Sequence, residues 1–68
     1  MDFHLWSEGS RVGEFHDRSQ ALAMVREIAE EDLREANRLV LTTLDERGHP
    51  VQVASGYALV TMANQETT

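Results

Sequence analysis

The chain has 68 residues and a mass of 7.7 kDa, which limits it to one domain with one small core, because a chain of this size buries only about 60% of the surface its unfolded form exposes. Hydrophobic residues make up 41%, a globular proportion, and twelve Asp and Glu against six Arg and no Lys leave a net charge of −6. That balance removes the electrostatic term behind most phosphate-backbone affinity, so neither DNA nor RNA is expected as a direct ligand.

Phe3-His4-Leu5-Trp6 alternates, Ser7-Glu8-Gly9-Ser10 supplies turn chemistry, and Arg11 to Phe15 returns as a second strand. The pattern predicts a hairpin with strands near residues 2 to 7 and 11 to 15. Asp17 stands three residues before Gln20, the spacing of a capping-box variant, so a helix is expected from Arg18. Ala21, Leu22, Val25, Ile28, Ala29, Leu33 and Ala36 recur at three- and four-residue steps, one stripe of a 3.6-residue period. Leu22, Val25, Ile28 and Ala29 are the residues that stripe should bury. No glycine or proline stops the helix before Asn37, and a stop or kink is expected between Glu31 and Asn37.

Leu39 to Leu44 is rich in β-branched residues, Asp45-Glu46-Arg47-Gly48-His49-Pro50 interrupts it, and Val51-Gln52-Val53-Ala54 resumes the alternation. This is a second hairpin, with strands near 38 to 45 and 50 to 54. Tyr57 to Ala63 fits a strand or a turn and a half of helix equally, because periodicity does not separate the two over so short a run.

The order predicts an α+β fold of the type ββαββ, one helix packed on a small, mostly antiparallel sheet. Residues 1 to 63 form the single domain and 64 to 68 a polar tail expected to fray. No linker, repeat or low-complexity tract stands out. Phe15-His16-Asp17-Arg18-Ser19-Gln20-Ala21-Leu22-Ala23-Met24-Val25-Arg26 and Ser55-Gly56-Tyr57-Ala58-Leu59 resemble stretches of small bacterial proteins of hairpin, helix, hairpin type that have no assigned activity. That resemblance implies a fold and carries over no site residue. Gln20-Ala21-Leu22, with Glu27 and Ile28 beyond, is more distantly similar to HicB-like antitoxin domains, which implies an inhibitor that covers a basic, nucleic-acid-binding partner.

The absence of cysteine removes disulfide staples, thiolate nucleophiles and Cys-type zinc sites, and fits a reducing, cytoplasmic setting. Met1-Asp2-Phe3-His4 lacks the basic and apolar regions of a signal peptide, and no apolar run approaches about 18 residues, so no membrane association is expected. His4, His16 and His49 match no metal-ligand spacing, although His4 and His16 meeting near Asp17 would be the place to look for one. Ser7, Ser10, Ser19 and Ser55 lie at turns or helix starts, where hydroxyls serve the backbone, and nothing resembles a nucleophile elbow. The glycines have neither P-loop nor dinucleotide-fold spacing. No enzyme and no cofactor is therefore expected, a small metal protein or enzyme being the remote alternative. Glu27, Glu30, Glu31, Asp32 and Glu35, laced with Arg26, Arg34 and Arg38, read first as a solvated helix face and second as a docking face for a basic protein.

Alternation puts Phe3 and Leu5 on one face of the first strand and His4 and Trp6 on the other, while Leu39 and Leu41 oppose Val40 and Leu44 in the third. Both faces of the sheet thus carry apolar residues, and one helix covers only one. A homodimer is the simplest way to bury the remainder, with Trp6, Val40, Leu44, Tyr57, Leu59 and Met62 as its expected contributors. The expected function is a small acidic protein-interaction module acting as a homodimer, with the antitoxin-like inhibitor of a basic partner as the alternative.

Overall fold

In the computed structural model, which describes residues 2 to 66, the chain runs β1 (Phe3–Ser7), β2 (Ser10–Phe15), α1 (Arg18–Glu31), α2 (Leu33–Ala36), β3 (Leu39–Leu44), β4 (Pro50–Ser55) and α3 (Gly56–Glu66). The first hairpin closes through Glu8 and Gly9, at φ 51° and 84°. Two consecutive positive φ values are what a two-residue type I′ loop requires, and Gly9 adopts its own without penalty. The helix starts as expected: Asp17 is extended and its Oδ1 accepts from the Ser19 N–H at 2.8 Å.

The ββαββ order is corrected in two places. Asp32 leaves the helical conformation, its N–H still donating to the Ile28 carbonyl at 2.8 Å, while its Oδ1 accepts from the N–H groups of Arg34 and Glu35 at 3.0 and 3.4 Å. One aspartate thus ends α1 and starts α2, which turns Leu33 out to solvent and Ala36 into the core. The second correction is α3. Tyr57 to Ala63 is helical, and the helix continues through Asn64 to Glu66, three of the five residues expected to fray; Thr67 and Thr68 lie outside the described residues. Gly56 makes the abrupt turn from β4 into α3 at φ +57°, and a Cβ there would sit 3.2 Å from the Asn37 carbonyl oxygen.

All strand pairs are antiparallel, in the order β2-β1-β3-β4. α1 lies over β1 and β2, α3 over β3 and β4, and the two helices pack against each other on the same side. Between the layers are Leu5, Leu39 and Leu41 from the sheet, Ala21, Leu22 and Val25 from α1, Ala36 from α2, and Leu59, Val60 and Ala63 from α3. Ile28 and Ala29, expected to be buried, are only partly so and pack against the core at its margin.

This arrangement contains a structural repeat that the sequence pattern does not announce. Hairpin plus helix occurs twice, related by an approximate two-fold axis through the central pair Leu5 and Leu41. The axis carries detail: the β1–β2 ladder shifts register just after Leu5, leaving Val12 unpaired, and the β3–β4 ladder shifts just after Leu41, leaving Val53 unpaired. The helices repeat as well, each burying residues at i, i+1 and i+4, Ala21, Leu22 and Val25 in one and Leu59, Val60 and Ala63 in the other.

Candidate interaction surface

Because both helices cover the same side, strand alternation leaves the other side of the sheet without a covering element. The paired positions there are Trp6 opposite Val40 and His4 opposite Thr42 on the central strands, Arg11 beside Trp6 and Glu14 beside His4 toward one edge, and Gln52 beside Thr42 and Pro50 beside Leu44 toward the other. Trp6, His4, Val40 and Thr42 are partly buried, and Leu44 is 40% exposed. The Trp6 Nε1–H donates to Thr42 Oγ1 at 3.0 Å, and that hydroxyl donates in turn to the His4 carbonyl at 3.4 Å. The imidazole of His4 lies beside the indole, with centroids 6.4 Å apart and planes tilted by 31°.

Charge is distributed unequally between the two sides. Among strand positions on the helix-free face the formal charges are Arg11 and Glu14, which face each other at 3.8 Å and cancel. The carboxylates Glu27, Glu30, Glu31, Asp32 and Glu35 are exposed on the helical layer, where Arg26 pairs with Glu30 at 3.5 Å. The face is thus an aromatic and aliphatic centre with a balanced rim on an otherwise acidic molecule. A second copy meets little electrostatic opposition there and much on the helical side.

Of the residues expected to contribute to self-association, the structure brings Trp6, Val40 and Leu44 together on this face. It separates them from the other three. Leu59 is fully buried between the layers, Met62 packs against the core, and Tyr57 projects into solvent from the first turn of α3 with 77% of its surface exposed. Their segment is a helix on the opposite side of the sheet, so it neither covers the open face nor adds to it. His4, Thr42 and the Arg11–Glu14 pair are members of the surface that the apolar pattern did not single out; reading every even-numbered position of β1 and β3 together would have found the first two.

His16 is not brought to His4: its Nδ1 lies 3.1 Å from the Asp2 carboxylate, while Asp17 caps α1. The Nδ1 of His4 is enclosed and has no hydrogen-bond partner among the described residues. His49 and the Asp45 carboxylate belong to the β3–β4 loop, which Asp45 organises by accepting from the N–H groups of Arg47 and His49, both at 2.8 Å. A shallow hollow of about 460 Å³ runs along the outer side of α1, lined by Phe15, Gln20, Ala23, Met24, Glu27 and Glu30 among others. Among the described residues no helix is long and apolar enough to cross a membrane. Comparison of the chain with protein-family models, with curated proteins and with solved structures finds no match.

Proposed function

We propose that this chain is a non-enzymatic protein-interaction module that works as a homodimer, with the helix-free face of the sheet as its contact surface. The observation that carries the reading is the placement of Trp6 and Val40 at the centre of a sheet face that neither helix covers. A four-stranded sheet with an apolar strip on each side is best served by two covering layers, and this chain supplies one. Association through the edges is disfavoured by the bulges at Val12 and Val53, since a bulged edge is a poor template for another strand.

The acidic helical layer supports a second reading, in which α1 and α2 cover a basic partner while the sheet faces remain paired. The two readings use opposite sides of the molecule. Sedimentation equilibrium of the native chain and of Trp6→Glu tests the first. A mass of twice 7.7 kDa for the native chain at micromolar concentration, lost in a folded Trp6→Glu variant, is the expected result. A native chain that stays monomeric, or a variant that dimerises equally well, refutes it.

A further inference from the structure

We propose that the outer side of α1 is a docking trough for a short cationic amphipathic helix of a partner protein. This rests on the second reading above, the cover of a basic partner, and adds the partner's chemistry and the place where it lies. The hollow of about 460 Å³ beside Phe15 continues toward the C-terminal end of α1 as a second of about 340 Å³, and the two share Met24, Glu27 and Glu30. Together they follow α1 from Gln20 to Glu31. At a rise of ~1.5 Å per residue that is roughly 17 Å, the length of three turns of a partner helix.

The floor of the trough is apolar. Ala23 is exposed, and Phe15, Met24 and Ile28 rest on the core while staying only partly buried. Phe15 reaches its place because Gly13 has no side chain: a Cβ there would stand 2.9 Å from the Phe15 Cζ. Glu27, Glu30 and Glu31 line the trough against one base, Arg26, which is already paired with Glu30 at 3.5 Å. Glu27 and Glu31 have no ion-pair partner among the described residues. Charge therefore selects the occupant. A nucleic acid, or a second copy of this chain with its net charge of −6, brings more of the same sign. A cationic amphipathic helix brings an apolar anchor for the adaptable Met24 side chain, and Lys or Arg stems that cover the floor while their charged ends reach Glu27 and Glu31. All lining residues but Phe15 belong to α1, whose backbone groups are bonded within the helix, so the occupant has to satisfy its own backbone, as a helix does.

Two labelled peptides of identical composition test the proposal by fluorescence anisotropy with the native chain. One has Leu at i, i+3, i+4 and i+7 with Lys elsewhere, and the other has its Leu dispersed around the helix. The dispersed peptide is expected to bind at least ~tenfold more weakly, the equivalent of one buried leucine lost. Amide shifts induced by the amphipathic peptide should centre on Ala23, Met24, Glu27 and Ile28. Met24→Gln, checked for native circular dichroism, should weaken the amphipathic peptide and leave the dispersed one unchanged, whereas Glu27→Gln should weaken both. Equal binding of the two peptides, with shifts spread over Asp32 and Glu35, overturns the trough and leaves the basic-partner reading standing. Shifts centred on Trp6 overturn the trough as well, and a chain that binds neither peptide overturns both.

Discussion

Leu41 and Leu44 lie three residues apart on β3 and point to opposite sides of the sheet, so truncating each to alanine separates the core from the open face. Leu41 is fully buried beside Leu5, whereas Leu44 is 40% exposed. Leu41→Ala loses the transfer free energy of the side chain and leaves a cavity in a core with few neighbours able to collapse into it, a cost of about 3–4 kcal/mol. Leu44→Ala removes apolar area that water already reaches, at a cost below ~1 kcal/mol. For a chain of 68 residues, total stability is of the order of 3–10 kcal/mol, so the first change removes a large share of it and the second does not. Urea unfolding followed by circular dichroism, in a Trp6→Glu background that keeps association out of the midpoint, measures both. With a slope near 1 kcal/mol per molar, the midpoint falls by roughly 3 M for Leu41→Ala and by less than about 1 M for Leu44→Ala. Equal shifts, or a larger one for Leu44→Ala, would refute the division of β3 into a core face and an open face.

Gly56→Ala forces a non-glycine residue to φ +57° and sets a Cβ 3.2 Å from the Asn37 carbonyl oxygen; a net loss of about 1–2 kcal/mol is expected after the smaller gain from a stiffer unfolded chain, read as a lower urea midpoint. Glu8→Asn places a residue suited to the left-handed region at the first loop position of the β1–β2 hairpin, now at φ 51°. Losing the exposed Arg38–Glu8 pair at 3.1 Å costs little, so the melting temperature should rise by a few degrees, corresponding to ~0.5–1 kcal/mol. Asp32→Ala leaves two N–H groups of α2 without their acceptor and should cost about 1 kcal/mol, accompanied by faster amide exchange at Arg34 and Glu35.

Local chemistry made part of this fold legible. The two hairpins, the Asp17 cap and the Ala21, Leu22, Val25 stripe follow from turn residues, a capping side chain and periodicity, each confined to a few neighbouring positions. Asp32 obeys the same rule as Asp17, with Glu35 three residues on, but it sits inside an acidic run that also reads as a continuous solvated face. For α3, Gly56 signals a turn and the run after it suits strand or helix; packing of Leu59, Val60 and Ala63 onto α1 and the sheet decides between them, and that is a long-range term. The internal repeat is hidden because the first hairpin closes through Glu8 and Gly9 while the second uses the longer Asp45 to His49 loop. The repetition lies in register and burial and not in residue identity.

The candidate surface divides in the same way. Trp6, Val40 and Leu44 are visible from the alternation of two strands, because parity along a strand fixes the side on which a residue lies. Tyr57, Leu59 and Met62 depend on where a helix docks, and docking on the α1 side takes all three away from the helix-free face, Leu59 and Met62 toward the core and Tyr57 into solvent. The Trp6–Thr42 hydrogen bond spans two strands distant in sequence, so only the strand order makes it apparent.

The central claim is that the helix-free face of the sheet is buried against a second copy. Isotope-filtered nuclear Overhauser spectroscopy on a mixture of labelled and unlabelled chains tests it directly, since it records only contacts between copies. Intermolecular cross-peaks from Trp6, Val40 and Leu44, with none from Met24, Ile28 or Tyr57 on the helices, are the predicted result. Cross-peaks confined to the helices, or their complete absence at concentrations where the protein is fully folded, would contradict the account.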